Sequence, residues 1–200
     1  MAKKYILALI ILVLIAFFAF NYLGNNSVDI YIDGENVSVT THSISGIDTE
    51  SLNKEICDYT INLMNDTTSD FSDYENGVKE ICIRYGIDDA KINIDSSIGK
   101  NQIPVIVNVD GTSMLPTLQD GQQVLVNKSH DVNVGDIVVA ESDEYGGIIK
   151  RVDDIEGDSI HLVSDNKDVS YEYINGALYE IKGISTWVDI NDIGGVVIQY

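Results

Sequence analysis

The sequence predicts a mainly β protein, an antiparallel β barrel or sandwich, preceded by one transmembrane helix and a small α+β unit. Three observations carry that expectation. Short apolar runs recur from Pro104 to the C-terminus with Gly, Asp and Asn between them, the rhythm of an all-β fold. One long apolar run stands near the N-terminus. Between the two, strand-like alternation gives way to apolar residues at helical spacing.

In chain order, Lys3 and Lys4 open a short N-terminal stretch, residues 1–4, and residues 5–23 hold no charged side chain. A helix needs ~20 such residues to cross a bilayer. The flanking lysines predict a cytoplasmic N-terminus and export of everything after Gly24. A cleaved signal peptide is the other reading. It fits less well, because the run exceeds the roughly 7–15 apolar residues usual there and no small-x-small site follows closely. Val28, Ile30 and Ile32 then alternate with polar residues, Asp33-Gly34-Glu35-Asn36 turns the chain, and Val37 and Val39 alternate again, which predicts a hairpin. Helices are expected over about Thr49 to Asn65 (Leu52, Ile56, Tyr59 and Leu63 on one face) and about Ser72 to Tyr85 (Tyr74, Val78, Ile81 and Tyr85), antiparallel across the 66–71 loop. A strand around Lys91 to Asp95 closes this accessory unit, residues 28–100. Nothing in it signals catalysis, and a structural or partner-binding role is expected. In residues 101–200, strands are expected at 105–109, 124–126, 136–140, 147–152, 159–163, 179–184 and 196–198.

The net charge is −20, and −22 once Lys3 and Lys4 are set aside. Phosphate binding requires a basic face, so nucleic acid is not an expected partner. Solubility outside the cell is the plain meaning of such charge. Cys57 and Cys82 are the only cysteines, and outside the cytoplasm they have the option of a disulfide that sequence does not decide. His42, His130 and His161 are scattered, with no ligand-spaced cluster, so neither metal nor cofactor is expected.

Ser113, in Gly111-Thr112-Ser113-Met114-Leu115-Pro116-Thr117-Leu118, and Lys150, in Ile148-Ile149-Lys150-Arg151-Val152, are the residues in which chemistry is most legible. A serine on a turn and a lysine on an apolar strand form a nucleophile and its base, provided the amine is neutral when it acts. Burial among Ile148, Ile149 and Val152 supplies the means, since desolvation depresses a lysine by up to roughly 3–5 pKa units. Each residue has an ordinary alternative: a turn serine, or a lysine with a solvated head on an apolar stem.

These segments resemble the type I signal peptidases, membrane-bound Ser/Lys proteases that remove signal peptides from exported preproteins. The resemblance covers residues 104–187 through four boxes in order: 111–118, then Gly135-Asp136-Ile137-Val138-Val139, then Ile149-Lys150-Arg151-Val152 with Gly157-Asp158, and finally Ser164-Asp165-Asn166-Lys167-Asp168-Val169-Ser170. It implies Ser113 as nucleophile, Lys150 as general base, Ser170 as the hydroxyl that orients the amine, and the Ser113 N–H as oxyanion donor. Met114, Asp165 and Asn166 would be supporting residues, with three places open to Met114, against the site, in lipid or in the core; the plain reading of Asp165 and Asn166 is that they shape a turn. Secretory preproteins with small residues before the cut would be substrates, lying beside strand edges near Val105–Asp110 and Ile137–Glu141. Membrane lipid, and a protein partner for residues 28–100, complete the expected contacts. The chain departs from the family where Ser164 replaces a glycine, where Glu172-Tyr173-Ile174 stands for Asp-Ser-Arg, and where Gly111 takes the place of a hydroxyl some members use for the oxyanion. Lysine rather than histidine at 150 is the prokaryotic type. Other readings are a membrane-tethered binding module with a vestigial pair, a Ser–His–Asp enzyme, and a self-cleaving repressor, which would need a helix-turn-helix that the sequence lacks.

Overall fold

Two sheets and a separate hairpin carry the chain, which is mainly β with two α-helices of more than ten residues among the described residues. The computed structural model describes residues 11–13, 26–34, 36–43, 46–174 and 176–200. The expected span, residues 5–23, and the N-terminal residues 1–4 lie outside them apart from the helical 11–13. Among the described residues no helix is long and apolar enough to cross a membrane.

Strands β1 (Ser27–Asp33) and β2 (Asn36–His42) form the first hairpin, and β3 (Lys91–Ser96) lies parallel to β1 on its other side. A parallel pair requires a crossover. Helices α1 (Thr49–Met64) and α2 (Phe71–Arg84) supply it, each started by an aspartate, Asp48 or Asp70, whose carboxylate accepts from first-turn N–H groups. The period-two pattern of β1 turns Val28, Ile30 and Ile32 onto Leu52, Ile56, Tyr74 and Val78, all fully buried. Gly77 lets the helices meet, because a Cβ there would lie 1.9 Å from the Tyr59 hydroxyl. Cys57 and Cys82 are free thiols in this packing, and burial pushes both pKa values up.

Residues 104–199 form a curled seven-stranded antiparallel sheet. Its strands are β4 (Pro104–Asn108), β5 (Gln123–Asn127), β6 (Ile137–Ser142), β7 (Gly146–Glu156) and β8 (Ser159–Val163), and, after the β9 (Ser170–Ile174) and β10 (Ala177–Ile181) hairpin, β11 (Ser185–Asp189) and β12 (Ile193–Gln199), in the order β11-β8-β7-β6-β12-β5-β4. The strands expected from sequence all occur, with shifted ends; β9 and β11 were not anticipated. One face of the sheet packs Val138, Ala140, Ile148 and Val152 with Ile160, Leu162 and Ile193. The other packs Val124, Val126, Ile137 and Val197 beneath Val109, Met114 and Leu118 of the serine turn.

The α1–α2 loop rests on this sheet. Lys128 Nζ, buried just past β5, donates to the Asp66 carbonyl and to Ser69 Oγ at 3.0 Å. Beneath Thr67 lies Gly194, where an added Cβ would stand 1.9 Å from the Thr67 carbonyl oxygen.

Candidate active site

The turn that follows β4 carries Ser113, half-buried, while Met114 and Leu118 on the same turn are sealed into the core and anchor it. Met114 is therefore a core residue, 1 % exposed, the last of the three places open to it from sequence. Lys150 stands mid-strand on β7, opposite Val138 and 3 % exposed. Its Nζ lies 2.9 Å from Ser113 Oγ and 2.8 Å from the Ile149 carbonyl oxygen. Burial lowers the Lys150 pKa, and no carboxylate opposes that shift. A neutral amine at this position donates one hydrogen to the Ile149 carbonyl and turns its lone pair to the hydroxyl. The Ile149 carbonyl is an orienting acceptor that sequence reading missed, since a backbone group leaves no mark in the residue letters.

The segment after β8 ties turn and strand together. Asp165 accepts from Arg151 Nε at 2.8 Å and Nη2 at 2.6 Å, and from Thr117 Oγ1 at 2.5 Å. Arg151 holds the Asp165 carboxyl below its ordinary range. Asn166 donates its N–H to the Ser113 carbonyl at 2.9 Å and its side-chain amide to the Thr112 carbonyl at 3.0 Å. These two residues do more than shape a turn: they clamp the serine loop against the lysine strand. Ser164, where a glycine was expected, is buried and uses its hydroxyl to accept from the Ile184 N–H at 2.9 Å, so the extra side chain pins the following segment. Gly111 has φ +86°, and its N–H donates to Asp120 at 2.8 Å, which removes it as an oxyanion donor. For the Ser113 N–H no acceptor occurs among the described residues. Ser170 opens β9 opposite Ile181; its side chain, like those of Glu172, Tyr173 and Ile174, lies outside the described residues.

Two strand edges are open beside the pair. Bonds from Lys128 N–H to Ile103 O and from Val109 N–H to Gln122 O bracket the β4–β5 ladder, and the register between them turns odd-numbered residues toward β5. Ile106 and Asn108 therefore point their N–H and C=O groups outward. The second expected edge was Ile137–Glu141, and this is corrected: β6 is paired on both sides, by β7 and β12. The open stretch is instead the start of β7: β6 pairs with it on one side, but β8 pairs with it only from Arg151 onward, so Gly147 and Ile149 have no strand on the β8 side among the described residues.

A second arrangement of catalytic residue types occurs elsewhere. His161 Nδ1 lies 3.1 Å from Asp153, and Nε2 2.9 Å from Ser185 Oγ, with Trp187 stacked on the ring at 4.8 Å. It lies on the outer surface of β7, β8 and β11, and the Asp153 side chain is 57 % exposed, so water screens the carboxylate that would support an imidazolium.

Comparison with known proteins gives two findings. The model of the Peptidase S24-like family matches residues 75–186, beginning inside α2 and so reaching further toward the N-terminus than the four boxes. The chain is also 36 % identical over 81 residues to Signal peptidase I V of Bacillus subtilis (strain 168), a match covering 38 % of this chain and 45 % of that protein, less than half its length.

Proposed function

The chain belongs to the Peptidase S24-like family, and from that premise we propose that it is a membrane-anchored serine endopeptidase that removes signal peptides from exported preproteins. The observation that carries the proposal is a buried amine, with no counter-charge, 2.9 Å from a serine hydroxyl. In this reading neutral Lys150 takes the Ser113 proton as Oγ attacks the scissile carbonyl, and the resulting ammonium protonates the leaving amine. Lys150, neutral again, deprotonates the water that hydrolyses the acyl-enzyme. The oxyanion is assigned to the Ser113 N–H, which donates to no described residue. Ser170 is proposed as a further orienting hydroxyl, on the strength of the box alone. Asp165 and Asn166 act by position, through Arg151, Thr117 and the Ser113 carbonyl.

The substrate lies extended along β4, using the free groups of Ile106 and Asn108, with Gly147 and Ile149 as the opposing edge. Residues 5–23 serve as the anchor, residues 101–200 as the peptidase unit and residues 28–100 as an accessory unit outside the membrane. Similarity to a protein named as a signal peptidase supports preproteins as the substrate class. The deciding experiment incubates detergent-solubilised full-length protein with a panel of preproteins beside its Ser113→Ala form. Cleavage at the signal peptide boundary by the parent and none by the variant is expected; equal cleavage by both would falsify the assignment. The His161 arrangement favours a second reading, a Ser–His–Asp enzyme. His161→Ala separates the two, because only in that reading does it abolish turnover.

A further inference from the structure

The seven-stranded sheet ends on β4 at one side and on β11 at the other, far from the serine turn in strand order. Bonds from Ser164 N–H to Ile184 O and from Ile190 N–H to Asp158 O bracket the β8–β11 ladder, so the even-numbered residues of β11 turn toward β8. Ser185 and Trp187 therefore point their N–H and C=O groups away from the sheet. Across from this edge stand the end of β6 and its turn into β7, and the two enclose a cleft of about 460 Å³. Glu141, Asp143, Glu144, Asp189 and Asp192 line it, with no lysine, arginine or histidine among the lining residues. Asp189 and Asp192 accept from N–H groups of their own turn, but Glu141 and Asp143 have no hydrogen-bond or ion-pair partner among the described residues. Ser142, 6 % exposed, lines the same cleft, and its hydroxyl has no hydrogen-bond partner among the described residues. An unpaired strand edge and an unpaired hydroxyl are groups that another backbone satisfies.

We propose that this cleft is a docking site for an extended basic segment of a partner polypeptide, which adds to β11 as a further strand and sets lysine or arginine side chains among the carboxylates. The main chain of the guest supplies the partners that Ser185 and Trp187 lack, and its side chains supply the selectivity. Thr186 to Asp189 line the cleft, which at ~3.3 Å per residue matches a guest of about four residues. Charge selects the occupant. A second copy of this chain, at −20, is repelled, and so is any polyanion. A lone metal ion does not suit the site, since no group of three His, Cys, Asp or Glu among the described residues is placed to hold one. The negative charge is spread along the cleft, and cations carried at intervals on a strand match that spread. Trp187, 47 % exposed, offers an aromatic surface to the stem or the charge of such a side chain. The proposal is independent of the Ser113 chemistry, because none of these residues belongs to that site.

Trp187 is the only tryptophan of the chain, so its emission reports on the cleft directly. The full chain in non-ionic detergent is titrated with a blocked Lys-Thr-Lys-Thr-Lys peptide, with its Glu-Thr-Glu-Thr-Glu counterpart, with the basic peptide N-methylated at every residue, and with spermine. The basic peptide should give a saturable change in emission, with a Kd that rises about tenfold or more between low salt and ~0.5 M salt. N-methylation should weaken binding about tenfold by removing the strand hydrogen bonds. Asp143→Asn combined with Glu144→Gln should weaken it by a similar factor by removing charge. An unchanged urea midpoint of that double variant separates lost binding from lost fold, and the N-methylated peptide tests the site with no variant at all. No saturable change with the basic peptide, an equal response to the acidic one, or full binding by the folded double variant overturns the site. Spermine or the N-methylated peptide binding as tightly as the parent peptide overturns strand addition, and the polypeptide partner with it.

Discussion

Lys150 and Lys128 are both buried lysines on the same sheet, 3 % and 4 % exposed, and burial lowers the pKa of both, yet their surroundings ask opposite things of them. Lys128 faces two loop groups, the Asp66 carbonyl and the Ser69 hydroxyl, and the Asp66 and Asp73 carboxylates partly restore its charge. It is a strut, and a charged donor suits that purpose. Lys150 faces one hydroxyl and one carbonyl, and no carboxylate acts on it. Nothing rewards its charge. Burial is common to the pair; what the amine meets decides whether it suits the proposed base or a brace.

The largest expected difference between the two is in turnover. Ser113→Ala and Lys150→Ala should each lower kcat by about 10³-fold or more in a preprotein cleavage assay. Retained turnover in either variant ends the contrast. Next come Arg151 and Asp165, which tie the serine turn to the lysine strand. Arg151→Ala frees that carboxylate and loosens the serine turn, and kcat should fall about 10–100-fold with a smaller change in KM.

Stability should respond with opposite signs. Lys128→Met leaves the Asp66 carbonyl without its donor, while the Ser69 hydroxyl keeps the Leu63 carbonyl, and should cost about 1–3 kcal/mol by urea denaturation. Lys150→Met removes an amine whose charge is disfavoured and should be at least as stable as the parent at neutral pH. The sign follows from linkage. With the folded pKa of Lys150 below the ordinary 10.5, the unfolded chain binds more protons between the two values, so the parent gains stability as pH rises through that window and the advantage of the variant shrinks. Cleavage should rise with pH through the same depressed value and then level off, as the base becomes neutral. A rate that climbs only near 10.5 would mean the amine is solvated. The smallest effect belongs to His161→Ala, with kcat/KM within about twofold of the parent, as expected for a surface side chain outside the machinery. A tenfold loss would move the chemistry to the Ser185 surface.

Much of this was legible in the residues because local rules and tertiary packing agree. The alternation of Val28, Ile30 and Ile32 and the helical stripes from Leu52 and Tyr74 each specify their element without help from the rest of the chain. Strand β11 escaped notice because Ser185-Thr186-Trp187-Val188-Asp189 buries only Val188 and so carries no two-residue pattern. The open edge was misjudged at Ile137–Glu141 because a strand sequence records which side chains are apolar and not which neighbours its backbone finds.

The sequence by itself determined most of the elements, the acidic charge and the two residues proposed for the chemistry, since these follow from side-chain type and spacing. Only the tertiary structure decided that Lys150 is without a counter-charge, that Lys128 is a strut, that Ile149 offers its carbonyl to the amine and that the β6–β7 turn walls the cleft beside β11. Those facts belong to groups far apart in the chain or to the backbone, and proton affinity and pocket shape are set by what folding brings within a few ångströms.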